Sequence, residues 1–204
     1  GCDEKAETEA PPQVADTISL QGSNEVYAAW DELYSSEDPA FSIDSFVKND
    51  TTRNELYTTD FTPSDSFYQR FGNLLVYNTD SSMFIDGYST SWMIESRNGA
   101  LYAREGEVDQ EVAIVNTKTN KRTRVLFCGP SCQFQKVFWY NDEIVGVMGM
   151  MGEYADEYYT PVIWFVHINT GVTIPYTYHS SVSIVNAHDY MRRHMESRGI
   201  KMQY

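Results

Sequence analysis

Long hydrophobic runs are absent from this chain. No stretch of about 18 consecutive apolar residues occurs, which excludes a helix that spans a membrane. Basic residues are scarce: 15 Lys and Arg stand against 29 Asp and Glu, for a net charge of −14. The densest basic stretch, Lys118, Lys121, Arg122 and Arg124, reads as a solvated hairpin tip. A protein that neutralises phosphates needs a basic patch, so no nucleic acid is expected as a partner. Catalytic signatures are also missing. The four histidines, His167, His179, His188 and His194, form no HExxH and no zinc spacing with cysteine, so no metal is expected. There is no GxSxG; GYSTSW, with Ser89 and Ser91, lacks the strand–turn–helix elbow. GMMG, from Gly149 to Gly152, lacks the lysine and spacing of a phosphate loop, and no cofactor is expected.

What is present is a folded body. The 204 residues are 42% hydrophobic and 14% aromatic, enough for one domain with its own core and unlike a disordered chain. The acidity is concentrated at one end. Residues 1–50 hold 12 acids and 2 bases, whereas 51–204 hold 17 acids and 13 bases. Residues 1–20 carry Asp3, Glu4, Glu7, Glu9, Pro11 and Pro12 without an apolar period, and read as a flexible tether. Residues 21–204 read as a single globular domain.

Within it, 21–73 is expected to be helical. In SNEVYAAWDELYSSED, Val26, Trp30 and Leu33 fall on one helical face, with Ser23 or Asn24 as the cap. A turn follows around Ile43, Phe46 and Val47. A short helix in TPSDSFYQRFG has Thr62 at its cap, Pro63 inside and Gly72 past its end. From 74 to 179 the period becomes two. LLVYN, MFID, SWMIE, ALYARE, EVAIVN, RVLFC, FQKVFWY, IVGVMGM, VIWFVHIN and VTIPYTY alternate with turns such as SRNG and TKTNK. Strands in unbroken succession predict antiparallel meander. VYNT, IVNT and HINT recur at Asn78, Asn116 and Asn169; blade repeats and simple turn chemistry both account for them. Residues 180–204 return to helix, with Asn186 and Asp189 near the cap, an Ala187, Tyr190, Met191, His194 and Met195 face, and Gly199 as the stop. The fold class is therefore α+β: a mostly antiparallel β meander, propeller-like or a sandwich or open barrel, flanked by N-terminal and C-terminal helices.

Two motifs carry resemblances. Cys2 behind the small Gly1, followed by the acidic DEKAE, resembles the mature start of envelope lipoproteins of Bacteroides-type bacteria, over about the first 15 residues. That resemblance implies a signal peptide already removed, acyl chains on Cys2 and a place at the outer membrane, on its periplasmic face or the cell surface. The lipid anchor is then the membrane contact, and a glycan or an envelope protein the expected partner. Cys128-Gly-Pro-Ser-Cys132 resembles the CGPC site of thioredoxin-like proteins with a serine inserted. A structural disulfide across a tight turn, free thiols and a redox pair all remain open for it, the disulfide being favoured because no βαβ frame surrounds the motif.

The loop GEYADEYYTP offers the other candidate site. Glu153, Asp156 and Glu157 alternate with Tyr154, Tyr158 and Tyr159. Rings and carboxylates together hold a sugar by stacking on its apolar face and bonding its hydroxyls; the same composition also suits a plain solvated hairpin loop. The expectation is an extracytoplasmic binding or interaction module without catalysis. The alternatives are a glycan- or peptide-acting hydrolase with a site assembled from distant loops, and a thiol–disulfide oxidoreductase using Cys128 and Cys132.

Overall fold

The computed structural model describes residues 18–22, 24–153 and 156–203. Cys2 and the rest of residues 1–17, where a tether is expected, lie outside these residues, as does Tyr154.

Helix α1 (Ala28–Glu37) follows a single 3-10 turn at Glu25–Tyr27. Asn24 caps that turn, its side chain accepting from Val26 N at 3.1 Å, and satisfies an amide the helix leaves unpaired. Trp30, Leu33 and Tyr34 form the buried face. Three short strands follow, β1 (Val47–Lys48), β2 (Thr52–Arg53) and β3 (Tyr57–Asp60), and then α2 (Asp65–Phe71). The α2 cap is Ser64 and not Thr62: Ser64 Oγ accepts from Phe67 N at 3.1 Å, which places Asp65 in the first turn and leaves Pro63 outside.

The expected run of strands forms in full. It comprises β4 (Val76–Tyr77), β5 (Met83–Asp86), β6 (Trp92–Arg97), β7 (Ala100–Glu105), β8 (Gln110–Asn116), β9 (Lys121–Cys128), β10 (Cys132–Asn141), β11 (Ile144–Met151), β12 (Tyr158–His167) and β13 (Val172–Thr177). The C-terminal segment adds β14 (Val182–Ser183), α3 (Ile184–Ser197) and β15 (Ile200–Met202). The helical segment 21–73 thus supplies three strands, and 180–204 supplies two.

These strands make three open sheets, and none closes into a barrel. The first runs β4-β5-β8-β9-β3 and is antiparallel throughout. The second pairs β6 with β7 and adds β15 parallel to β7, a departure from the antiparallel rule. The third is the meander β10-β11-β12-β13, with β1 and β2 along β13 and β14 on the end of β12. Sheets of five, three and seven strands do not repeat a blade, so the recurring Asn-Thr is turn chemistry. Asn116 Oδ1 accepts from Lys118 N and Thr119 N, and Asn78 Oδ1 accepts from Met83 N, each bending the chain locally. The β6–β7 turn needs left-handed backbone at both central residues. Asn98 and Gly99 supply it, with φ of 52° and 79°.

Helix α3 closes one end of the core. Ala187, Tyr190, Met191 and Met195 are buried, as the period predicted. Its cap is Ser183, whose hydroxyl accepts from Val185 N. Asn186 instead donates to Glu37 on α1, and Asp189 pairs with Arg192 and Arg193. Glu37 also accepts from Ser183 N at 2.8 Å, a carboxylate placed where the helix dipole favours one. Between α1 and α3 lies an aromatic cluster: Trp30 and Tyr190 meet edge-on at 6.4 Å, and Phe41 and Tyr178 at 4.9 Å. The first described residues pack on the sheet. Ile18 is buried, its carbonyl accepting from Tyr176 OH, and Ser19 N donates to Tyr140 OH. The basic stretch is also less solvated than a free hairpin tip. Lys121 pairs with Asp60, while Arg122 is drawn between the carboxylates of Asp86 and Glu111.

Candidate functional site

All three sheets and α3 contribute to one cleft of about 390 Å³. Ser91 and Trp92 come from the start of β6, Glu105 to Val108 from the end of β7 and the loop after it, and Gln110 from β8. Pro130, Cys132 and Gln133 come from the β9–β10 turn and β10, Tyr159 from β12, and Ile184 and His188 from α3. Clefts where separate elements converge are where side chains from distant segments can act on one ligand.

The cleft is rich in polar groups with unused bonding capacity. Ser91 is 2% exposed, and its hydroxyl makes no hydrogen bond among the described residues. An enclosed polar atom left so costs roughly 1–3 kcal/mol. Gln110 is buried and its Oε1 accepts from Phe134 N at 3.4 Å, which leaves its NH2 without an acceptor among the described residues. Glu105 and Glu107 stand exposed on the rim, with no ion pair among the described residues. Trp92 and Tyr159 supply aromatic walls. Gly152 makes the placement of Tyr159 possible: a Cβ there would lie 2.2 Å from the Tyr159 ring.

Behind the cleft runs a ladder of buried hydrogen bonds. Gln133 Oε1 accepts from Gln135 Nε2 at 3.4 Å, and Nε2 also donates to the Ala187 carbonyl at 3.2 Å. Gln135 Oε1 accepts from Trp30 Nε1 at 2.9 Å and from Tyr34 OH at 3.3 Å. The amide thus makes four bonds while fully buried. The ladder continues through the Gln135 carbonyl, which accepts from Tyr88 OH at 3.1 Å. Tyr88 OH also lies 2.9 Å from His194 Nε2. A hydroxyl has one proton; with it given to Gln135, His194 Nε2–H is the donor and Nδ1 is left unprotonated. Burial, with Arg198 and Lys136 nearby, drives His194 down to about 3, so the ring is neutral at pH 7. Burial raises Tyr88 and Tyr190 far above the ordinary phenol range.

The loop singled out in the sequence is placed differently from the cleft. Glu153 N donates to Asp156 Oδ2 at 2.7 Å, so the Asp156 carboxylate serves its own turn. Glu157 is exposed, and its carbonyl accepts from Ile184 N. Tyr158 is 59% exposed, whereas Tyr159 lines the cleft. Neighbours on a strand point to opposite faces, so these two rings do not form one platform. Of the described residues predicted in this loop, Tyr159 lines the cleft and Glu153, Asp156, Glu157 and Tyr158 do not, while Cys132, predicted for a disulfide, lines it from β10. Sequence reasoning missed Trp92, Glu105, Glu107, Gln110 and Gln133. Three of them, Glu105, Glu107 and Gln110, fall in the acid-rich EGEVDQ that joins β7 to β8.

Cys128 and Cys132 stand at disulfide distance across the β9–β10 turn, with Cα atoms 6.0 Å apart. Cys132 opens β10, so no helix N-terminus follows to stabilise a thiolate there. Cys132 also borders a second groove, walled by Phe127, Met151 and Trp164. The histidines are dispersed. His167 lies 4.0 Å from Glu143, His179 packs on Tyr178, His188 is exposed at the cleft and His194 ends the ladder.

No protein-family model, curated protein or solved structure matches this chain.

Proposed function

We propose that the chain is an extracytoplasmic lipoprotein, held by acyl chains on Cys2, whose folded body is a non-catalytic module binding a hydroxyl-rich ligand, a glycan. One observation carries the binding reading. Ser91, Gln110, Glu105 and Glu107 bring unspent donors and acceptors to a cleft walled by Trp92 and Tyr159. Sugars present that pairing, with apolar faces for rings and hydroxyls for carboxylates and amides. Two or three acyl chains give a stable anchor where one is marginal, because each buried CH₂ contributes roughly 0.8 kcal/mol.

The test is a glycan array with the labelled folded chain, covering neutral and acidic oligosaccharides. Retention of neutral sugars that is reduced in Glu105→Gln/Glu107→Gln supports the reading. No retention of any sugar overturns it. A second reading is favoured by the same two glutamates: two carboxylates on one rim are the equipment of a glycoside hydrolase. Release of new reducing ends from retained sugars, abolished in Glu105→Gln or Glu107→Gln, identifies that alternative. Acyl mass on Cys2 in protein from its native host tests the anchor.

A further inference from the structure

A second cleft, of about 320 Å³, opens between α1, β10 and the C-terminal half of α3. Ala29 and Glu32 line it from α1, Lys136 from β10, and Tyr190, Arg193, His194, Ser197 and Arg198 from α3. We propose that this cleft is a binding site for a phosphate group, free or as a monoester, gripped by Lys136 and Arg198.

A half-buried base normally needs an acidic partner, although exposed bases such as Arg53, Arg70, Arg104 and Lys201 do without one among the described residues. Yet neither Lys136 nor Arg198 has a carboxylate within 4.0 Å among the described residues. Lys136 is half-buried, and its Nζ donates to the Val26 carbonyl at 2.7 Å, which leaves two N–H donors. Arg193 is held by Asp189 at 2.8 Å and lies 4.0 Å from Glu32. The helix dipole accounts for Arg198, which follows the last turn of α3. It does not account for Lys136, which sits in the middle of a strand.

Cations gathered without a counterion repel one another, and the repulsion is felt. Burial and then Arg198 push Lys136 downward, and both cations add to the burial that holds His194 neutral. The other groups facing the ring are Tyr88, Tyr190, Arg193 and Glu32. A bound dianion reverses this balance. It pairs with Lys136 and Arg198 and neutralises both, while the His194 ring beside them stays neutral at pH 7. A monoanion such as chloride matches two cations less well and lacks the fork that a guanidinium grips. Tyr190 and Ala29 leave an apolar wall for whatever the phosphate is attached to. This site shares no lining residue with the cleft assigned to glycan and stands independently of that assignment.

The experiment titrates the folded chain with inorganic phosphate, following the His194 ring by NMR and heat by calorimetry, with sodium chloride holding ionic strength constant. The expected result at about pH 7.5, where phosphate is largely dianionic, is saturation below on the order of 10 mM, with the His194 ring signals shifting along the same curve as the heat. Lys136→Met, which keeps the buried stem, and Arg198→Gln each weaken binding about tenfold or more. Glu32→Gln, on an exposed side chain, removes a repulsive carboxylate and tightens binding a few-fold without a folding risk. The proposal is overturned by no saturable response, by an equal response to added chloride, or by unchanged binding in both cation variants and in Glu32→Gln.

Discussion

The indole Nε1 of Trp30 on α1 donates to Gln135 Oε1 on β10 across 2.9 Å, with both residues fully buried. The residues are 105 positions apart in the chain. This bond ties the N-terminal helix to the central strand. It also fixes which end of the Gln135 amide faces α3, because Nε2 is then free to donate to Ala187.

Replacement of Gln135 by Leu removes an amide that satisfies Trp30, Tyr34 and Ala187 together. Trp30 Nε1 and Tyr34 OH are left buried and unpaired, whereas the Ala187 carbonyl keeps its bond within α3, so the expected loss is about 3 kcal/mol. Urea unfolding followed by tryptophan fluorescence measures it. A loss under about 1 kcal/mol would show that the ladder is not held as described.

Ser91 should separate stability from binding. Ser91→Ala removes a buried hydroxyl that has no partner among the described residues, so stability stays level or rises by about 1 kcal/mol. Sugar retention should fall in the same variant. Weakened stability with unchanged retention would show that the hydroxyl serves the fold and not the ligand.

Acid sensitivity should be traceable to His194. Its folded value of about 3 lies below the usual 6.5. The unfolded chain therefore takes up a proton that the folded chain refuses. The stability tied to the neutral ring is complete above pH 6.5 and is lost as pH falls from there towards 3. The loss is on the order of 5 kcal/mol over that range, of which about 3 kcal/mol falls above pH 4.5. His194→Asn should flatten the pH dependence of the urea midpoint between pH 7 and 4.5. An unchanged slope would contradict the assignment.

Joining Cys128 to Cys132 closes a very short loop, so reduction should cost only about 2 kcal/mol in the chain-entropy view. Cys128→Ala/Cys132→Ala should fold with the same far-UV circular dichroism and a urea midpoint lowered to match. Turnover in an insulin-reduction assay by the wild-type protein would contradict a structural role.

The sheets were legible because β5 to β13 carry alternating or continuous apolar runs long enough to set a period, and the two-residue β4 lies inside the apolar run LLVYN. The short strands were not. β1, β2 and β14 are two residues each, and they exist because an edge of β13 or β12 offers partners, which no local pattern records. The parallel pairing of β15 with β7 is likewise a tertiary choice, made after Gly199 at φ 75° turns the chain out of α3. The cleft was hidden for a related reason. Its residues come from β6, β7, β8, β10, β12 and α3, and each is unremarkable in its own segment. GEYADEYYTP drew attention through composition, but strand alternation sends Tyr158 outward and only Tyr159 into the cleft.

The most direct measurement is amide chemical-shift mapping of the folded chain with the neutral oligosaccharide that the array retains most strongly. The account predicts that the amides of Ser91, Trp92, Gly106, Gln110, Gln133 and Tyr159 move together and saturate at one affinity. Shifts confined to Glu153, Asp156, Glu157 and Tyr158, with those six amides unmoved, would contradict it.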